Sequence, residues 1–120
     1  MAYLAVFLGG GLGSVLRLLL SKASNDYFGK FPLHTLLANV LACLIMALIL
    51  WIAKDKWEPN SFLSHFILIG FCGGLSTFST FSKETFQLIQ TQSWGLAGLN
   101  IALSLVLCMM LFWSFSKATY

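Results

Sequence analysis

The sequence predicts an all-α integral membrane protein, a single domain over residues 1–120 with four spanning helices, the third broken near Gly73–Thr77. Three observations lead there. Hydrophobic residues make up 58% of the chain and charged residues 9%, with mean hydropathy +0.85; an average soluble domain carries roughly 25% charge. The apolar residues gather into four segments, each reaching the roughly 20 residues that carry a helix across the hydrocarbon core. One segment holds the run Gly70–Glu84, with paired glycines, five hydroxyls and two phenylalanines three residues apart. Glycine disfavours helix interiors and Ser/Thr offer the backbone other partners, so this run marks a break.

The first segment covers about residues 2–21 and carries Gly9, Gly10, Gly11, Gly13 and Ser14. Gly9 with Gly13, and Gly10 with Ser14, form small-xxx-small pairs that let another helix approach closely. The glycines lack the Gly-x-Gly-x-x-Gly or Gly-Lys-Ser/Thr pattern of a nucleotide loop. With no basic start and Arg17 inside it, the segment reads as a retained helix rather than a leader. Arg17 must snorkel to the interface or pair with a loop or a neighbouring helix end. Asn25, Asp26, Gly29 and Pro32 then supply turn chemistry.

The second segment covers about residues 33–53. Thr35, Asn39 and Cys43 stand at i, i+4 and i+8 and share one face. An amide inside a bilayer wants partners, so Asn39 is either a helix–helix clasp or an NH₂ donor aimed into a polar path. Lys54–Asn60 form a polar loop, and Trp51 and Trp57 suit an interfacial aromatic belt. His34 and His65 read as interfacial residues, because neither has a second ligand at metal-site spacing.

The third segment covers about residues 61–90, which as one helix at about 1.5 Å per residue overshoots a hydrocarbon core of roughly 30 Å. A break near Gly73–Thr77 removes the excess and frees backbone carbonyls, oxygen ligands that suit a hard cation such as Na⁺. If helix resumes at Phe78, then Phe78, Phe81, Ser82 and Thr85 fall on one side, Thr80 and Glu84 on a second, and Ser79 and Lys83 on a third. Glu84 stands either at the mouth of a polar path or as a solvated interface carboxylate. The fourth segment, about residues 94–116, carries Asn100, Ser104 and Cys108 as a weakly polar stripe, by itself ordinary packing. Cys43, Cys72 and Cys108 all lie in apolar segments, where thiols behave as small hydrophobes.

The net charge is +3, with no basic cluster of the kind that binds nucleic acid. Four helices place Lys54, Lys56 and Lys117 on one side and Arg17, Lys22 and Lys30 on the other, with Lys83 able to join the second. Lys/Arg bias normally sets orientation and is nearly absent here. A chain so balanced can insert either way up, which predicts an antiparallel, dual-topology homodimer.

No Ser/His/Asp set, paired carboxylate or Cys/His arrangement is visible, so the chain is a poor candidate for an enzyme. Hydroxyls, an amide and phenyl rings instead suit the lining of a narrow pore. A phenyl ring has a positive edge, and ring edges with Asn39 and Ser/Thr donors can replace water around a small anion without holding it too tightly.

Gly73-Gly74-Leu75-Ser76-Thr77-Phe78-Ser79-Thr80-Phe81-Ser82 closely resembles the signature of the Fluc/CrcB fluoride channels. The glycine-rich first segment ending in Arg17, Thr35-x-x-x-Asn39, the chain length and the four-span layout also fit. The resemblance implies a passive fluoride exporter of the cell membrane, an antiparallel homodimer with two pores and a structural Na⁺ at the dimer interface. It implies that Gly73 and Ser76 give carbonyls to the Na⁺, that Phe78 and Phe81 form aromatic boxes, and that Asn39 donates to fluoride. Ser79, Thr80 and Glu84 match a polar track in the third segment, Ser104 and Cys108 one in the fourth. Cys108 departs from the usual hydroxyl. A small multidrug-resistance transporter is the main alternative, but it needs an acidic residue in the first segment, and none is present. A non-transporting assembly protein is a third class, for which glycine packing alone suffices.

Overall fold

Backbone-to-backbone contact between the first and third spans sets the architecture of this computed structural model, which describes residues 1–24, 29–54 and 58–117. Helix α1 runs Ala2–Ser24, past the apolar segment through Lys22 to a Ser24 hydroxyl bonded to the Leu20 carbonyl. Gly9 and Gly13 are buried on its inner face. A Cβ on Gly9 would enter the Phe66 carbonyl, and one on Gly13 would enter the Phe71 carbonyl and lie 2.7 Å from the Leu75 nitrogen. The third span answers with its own pair. A Cβ on Gly70 would lie 3.0 Å from the Gly9 Cα, and one on Gly74 would strike the Gly10 carbonyl. Two small-xxx-small strips thus interlock, the packing that helices use where lipid gives no hydrophobic drive. Gly11 has nothing within 4 Å of its Cβ position and takes no part.

Helix α2 spans Leu33–Ile52 directly after Pro32, as expected where proline pre-sets the entry to a helix. Its small residues Ala38 and Ala42 meet Cys72 and Leu75 in the core, with Leu16, Leu41, Ile67 and Phe71 packed around them. The last span, α6, runs Trp94–Lys117 beside α2, and near the end of the pair the Trp51 and Phe115 rings stand 5.8 Å apart.

The third span, Phe62–Gln90, is not one helix. It starts as α3 (Phe62–Ser64), capped by the Ser61 hydroxyl, and continues as eight π-helical residues, His65–Cys72. A short α4 (Gly73–Leu75) follows, and after two extended residues α5 (Phe78–Gln90) completes it. The break is narrower than the sequence predicted. Gly73 keeps helical angles (φ −64°, ψ −38°), whereas Ser76 (φ −74°, ψ 154°) and Thr77 (φ −154°, ψ 118°) are extended. The π turns were not foreseen; they lie where α1 presses against Phe66 and Gly70. Gln92, at φ 58°, ends α5 with Ser93 and Gln92 N–H groups returned to Leu88 and Ile89 carbonyls, a Schellman closure in which the left-handed residue is usually glycine.

Four helices are long and apolar enough to cross a membrane, and the outward side chains suit that. Tyr3 is 93% exposed, Phe7 76% and Trp113 65%, an apolar surface that water would not tolerate over such an area. Gly29, at φ 61°, uses the left-handed freedom of glycine before α2. The predicted turn residues Asn25 and Asp26, and the loop residues Lys56 and Trp57, lie outside the described residues. Arg17 is half-buried and makes no ion pair among the described residues.

Candidate functional site

Asn39 and Thr77 build the site between them. In an unbroken helix the Thr77 N–H would bond the Gly73 carbonyl. Here it donates to Asn39 Oδ1 at 2.7 Å, and Asn39 Nδ2 reaches the Thr77 carbonyl at a longer 3.4 Å. The α2 amide therefore clasps the peptide at the break, which leaves the Gly73 carbonyl without its helical partner. Thr77 in turn caps α5, its hydroxyl accepting the Thr80 N–H at 3.3 Å. One residue is held by a neighbour on one side and starts a helix on the other.

This break opens a groove of about 240 Å³. Of the predicted pore residues, Asn39, Phe78, Phe81, Ser104 and Cys108 line it, joined by Cys43, Ser76 and Thr77. The Phe78 and Phe81 rings stand 5.8 Å apart, tilted by 37°. Phe78 is 79% exposed, so the groove has an open side. Ser104 is 7% exposed, and its hydroxyl has no hydrogen-bond partner among the described residues. An unpaired buried hydroxyl costs about 1–3 kcal/mol; a donor left in that condition is available to a guest. Cys108, the residue that stands in place of a hydroxyl, shares the groove wall with Cys43.

The remaining predicted residues lie elsewhere. Ser79 is exposed and Thr80 half-buried, and their hydroxyls meet that of Thr77 at 3.4 and 3.1 Å within the capping turn. Gly73 is exposed and does not line the groove. Glu84 lines a second cavity of about 300 Å³ with Lys30, His34 and Gln87. Its Oε1 accepts the Thr35 hydroxyl at 2.9 Å and lies 2.9 Å from His34 Nε2, while Oε2 is buried without a partner among the described residues. Glu84 is therefore partnered at a cavity wall and is not a freely solvated carboxylate. His34, the second residue of α2, stands at the end of its span, as an interfacial residue would, and adds this contact with Glu84. His65 turns its Nδ1 to the Ser61 carbonyl at 2.8 Å.

A buried polar link that the sequence reading treated as packing joins α6 to α5. Asn100, 1% exposed, donates Nδ2 to the Thr85 hydroxyl at 2.9 Å, and Thr85 donates to the Phe81 carbonyl at 2.8 Å. Asn100 Oδ1 is buried without a partner among the described residues. The available signal was its placement four residues before Ser104, on the face that carries Cys108.

Comparisons with known proteins bear on the family. A family model described as CrcB-like protein, Camphor Resistance (CrcB), matches residues 4–114. The chain is 39% identical over 110 residues to a Flavobacterium psychrophilum protein named fluoride-specific ion channel FluC, an alignment covering 91% of this chain and 89% of that one. It is 41% identical over 106 residues to a protein of the same name from Magnetococcus marinus, covering 88% and 86% of the two chains. A third so named, from Escherichia fergusonii, is 40% identical over 121 residues, covering 97% and 94%. With a family match across nearly the whole chain and four spans, this multi-pass membrane protein belongs to the CrcB-like family.

Proposed function

We propose that the chain is a fluoride-selective ion channel that lets F⁻ leave the cytoplasm passively, working as an antiparallel homodimer in the cell membrane. One observation carries this reading. A groove at membrane depth combines two phenylalanine rings, an amide and an unpartnered Ser104 hydroxyl, with no charged side chain on its wall. The names of the relatives supply the ion.

The chemistry suits a small, strongly hydrated anion. Its water is replaced by the positive edges of Phe78 and Phe81 and by neutral N–H and O–H donors. None binds so tightly that release is blocked, the compromise that conduction requires. From the groove the path leads by Thr85 and Asn100 towards Glu84, with Ser79 and Thr80 on the same helix. Fluoride enters cells as neutral HF and dissociates inside, so a passive anion path suffices for export.

The open side of the groove and the exposed Gly73 are the faces a second, inverted copy would cover. The Gly73 and Ser76 carbonyls also fit a Na⁺ there: Gly73 has lost its helical N–H partner to Asn39, Ser76 is extended, and a Cβ on Gly73 would meet nothing within 4 Å. Oxygen donors of this kind suit a hard monovalent cation, which when bound would neutralise facing carbonyls and tie two copies together. Two carbonyls per chain are few for such an ion, and a twin would double them.

The test uses bacterial cells made fluoride-sensitive by loss of their own exporter. Expression of the chain should restore growth in fluoride. Asn39→Asp should fail to do so while still reaching the membrane, because the carboxylate can still accept the Thr77 N–H but no longer donates. Growth unchanged by expression of the wild-type chain would sink the proposal. Single cysteines placed in the loops should each react from both sides of the membrane; labelling from one side only would remove the inverted dimer.

A further inference from the structure

His34 stands outside the groove, yet it touches the one carboxylate on the inner face of α5. Its Nε2 is 2.9 Å from Glu84 Oε1, and Thr35, 2% exposed, holds the same oxygen from behind at 2.9 Å. Both side chains line the cavity of about 300 Å³. The charged and titratable groups on its wall among the described residues are few: α2 contributes His34, α5 Glu84 and the connector before α2 Lys30, while α1 contributes the neutral Ser24.

We propose that His34 sets the charge of the channel entrance, taking up a proton on Nδ1 and so cancelling the Glu84 carboxylate as the medium acidifies. The proposal rests on the fluoride-channel reading and adds its regulation. Neutral imidazole donates Nε2–H to Glu84, and protonation at Nδ1 leaves that contact in place, so geometry persists while charge changes. With Lys30 included, the cavity wall passes from zero net charge to one positive charge. Histidine is the side chain that makes such a change between roughly pH 5 and 8. A positive cavity with low-dielectric walls concentrates an anion and raises its rate of entry. The entrance would therefore open electrostatically when an acidic exterior loads the cell with HF.

Purified wild-type protein in liposomes should release F⁻ about threefold faster at about pH 5.5 than at about pH 8, after the leak of protein-free vesicles is subtracted. Raising ionic strength should shrink that ratio, since entry is screened over a Debye length. His34→Gln, which keeps an N–H donor but takes no proton, should bring the ratio close to one. Lys30→Met should slow release at both pH values and keep the ratio. A wild-type ratio of one, or the wild-type ratio persisting in His34→Gln, overturns the proposal. No F⁻ release by the wild type at either pH defeats the fluoride-channel reading itself, which is a separate result.

Discussion

Gly13→Val should leave little folded protein in a detergent extract. The Cβ added at this position would enter the Phe71 carbonyl and lie 2.7 Å from the Leu75 nitrogen. Both obstacles are backbone, so no side chain can swing aside and α1 must lift off the third span. Overpacking a well-packed contact typically costs about 1–3 kcal/mol, more where backbone must move, and a loss of at least about 3 kcal/mol is expected here against marginal total stability. Lifting α1 would also loosen Gly74 against Gly10, because the two glycine strips share one contact. Gly11→Ala is the matched control. Its Cβ meets nothing within 4 Å, and alanine favours helix by up to about 1 kcal/mol over glycine. Thermal unfolding of the two variants followed by circular dichroism would check this, and equal midpoints would refute the backbone-contact explanation.

Phe81→Ile should lower F⁻ flux at least about tenfold, equivalent to about 1.4 kcal/mol on the barrier, with the folded state retained. Isoleucine preserves apolar bulk in the groove but removes the ring edge, the group that carries partial positive charge. Phe81 is the better of the two phenylalanines for this purpose. It is half-buried at the groove wall, whereas Phe78 is 79% exposed on the open side. If the ring served only to fill space, isoleucine would conduct nearly as well. Efflux of F⁻ measured with an ion-selective electrode separates the two outcomes.

Much of this arrangement was legible in the residues, and the reasons differ from place to place. Four spans follow from hydropathy, because lipid leaves few other ways to satisfy the backbone. The α1 glycines announced a close contact, and their partners Gly70 and Gly74 repeat the same spacing on the third span. The break was visible but drawn too wide. Glycine suggested it began at Gly73, yet Gly73 is helical, and the true boundary is marked by Thr77, an N-cap residue whose hydroxyl takes the Thr80 N–H. Asn39 left a clasp and a donor equally open from sequence; its two atoms turn out to meet the backbone N–H and C=O of one residue, Thr77. The His34–Glu84 contact joins residues fifty positions apart, and no local pattern encodes it. The π turns of His65–Cys72 depend on where α1 docks, so they too lie beyond any local reading.

The most direct measurement compares two halides on the same purified protein. Liposomes loaded with F⁻ or with Cl⁻ should release F⁻ through the wild-type chain at a rate that Cl⁻ does not approach, because the groove offers neutral donors and ring edges in a narrow space. Equal release of the two ions, or release of neither, would contradict a fluoride-selective pore at the Asn39–Thr77 break.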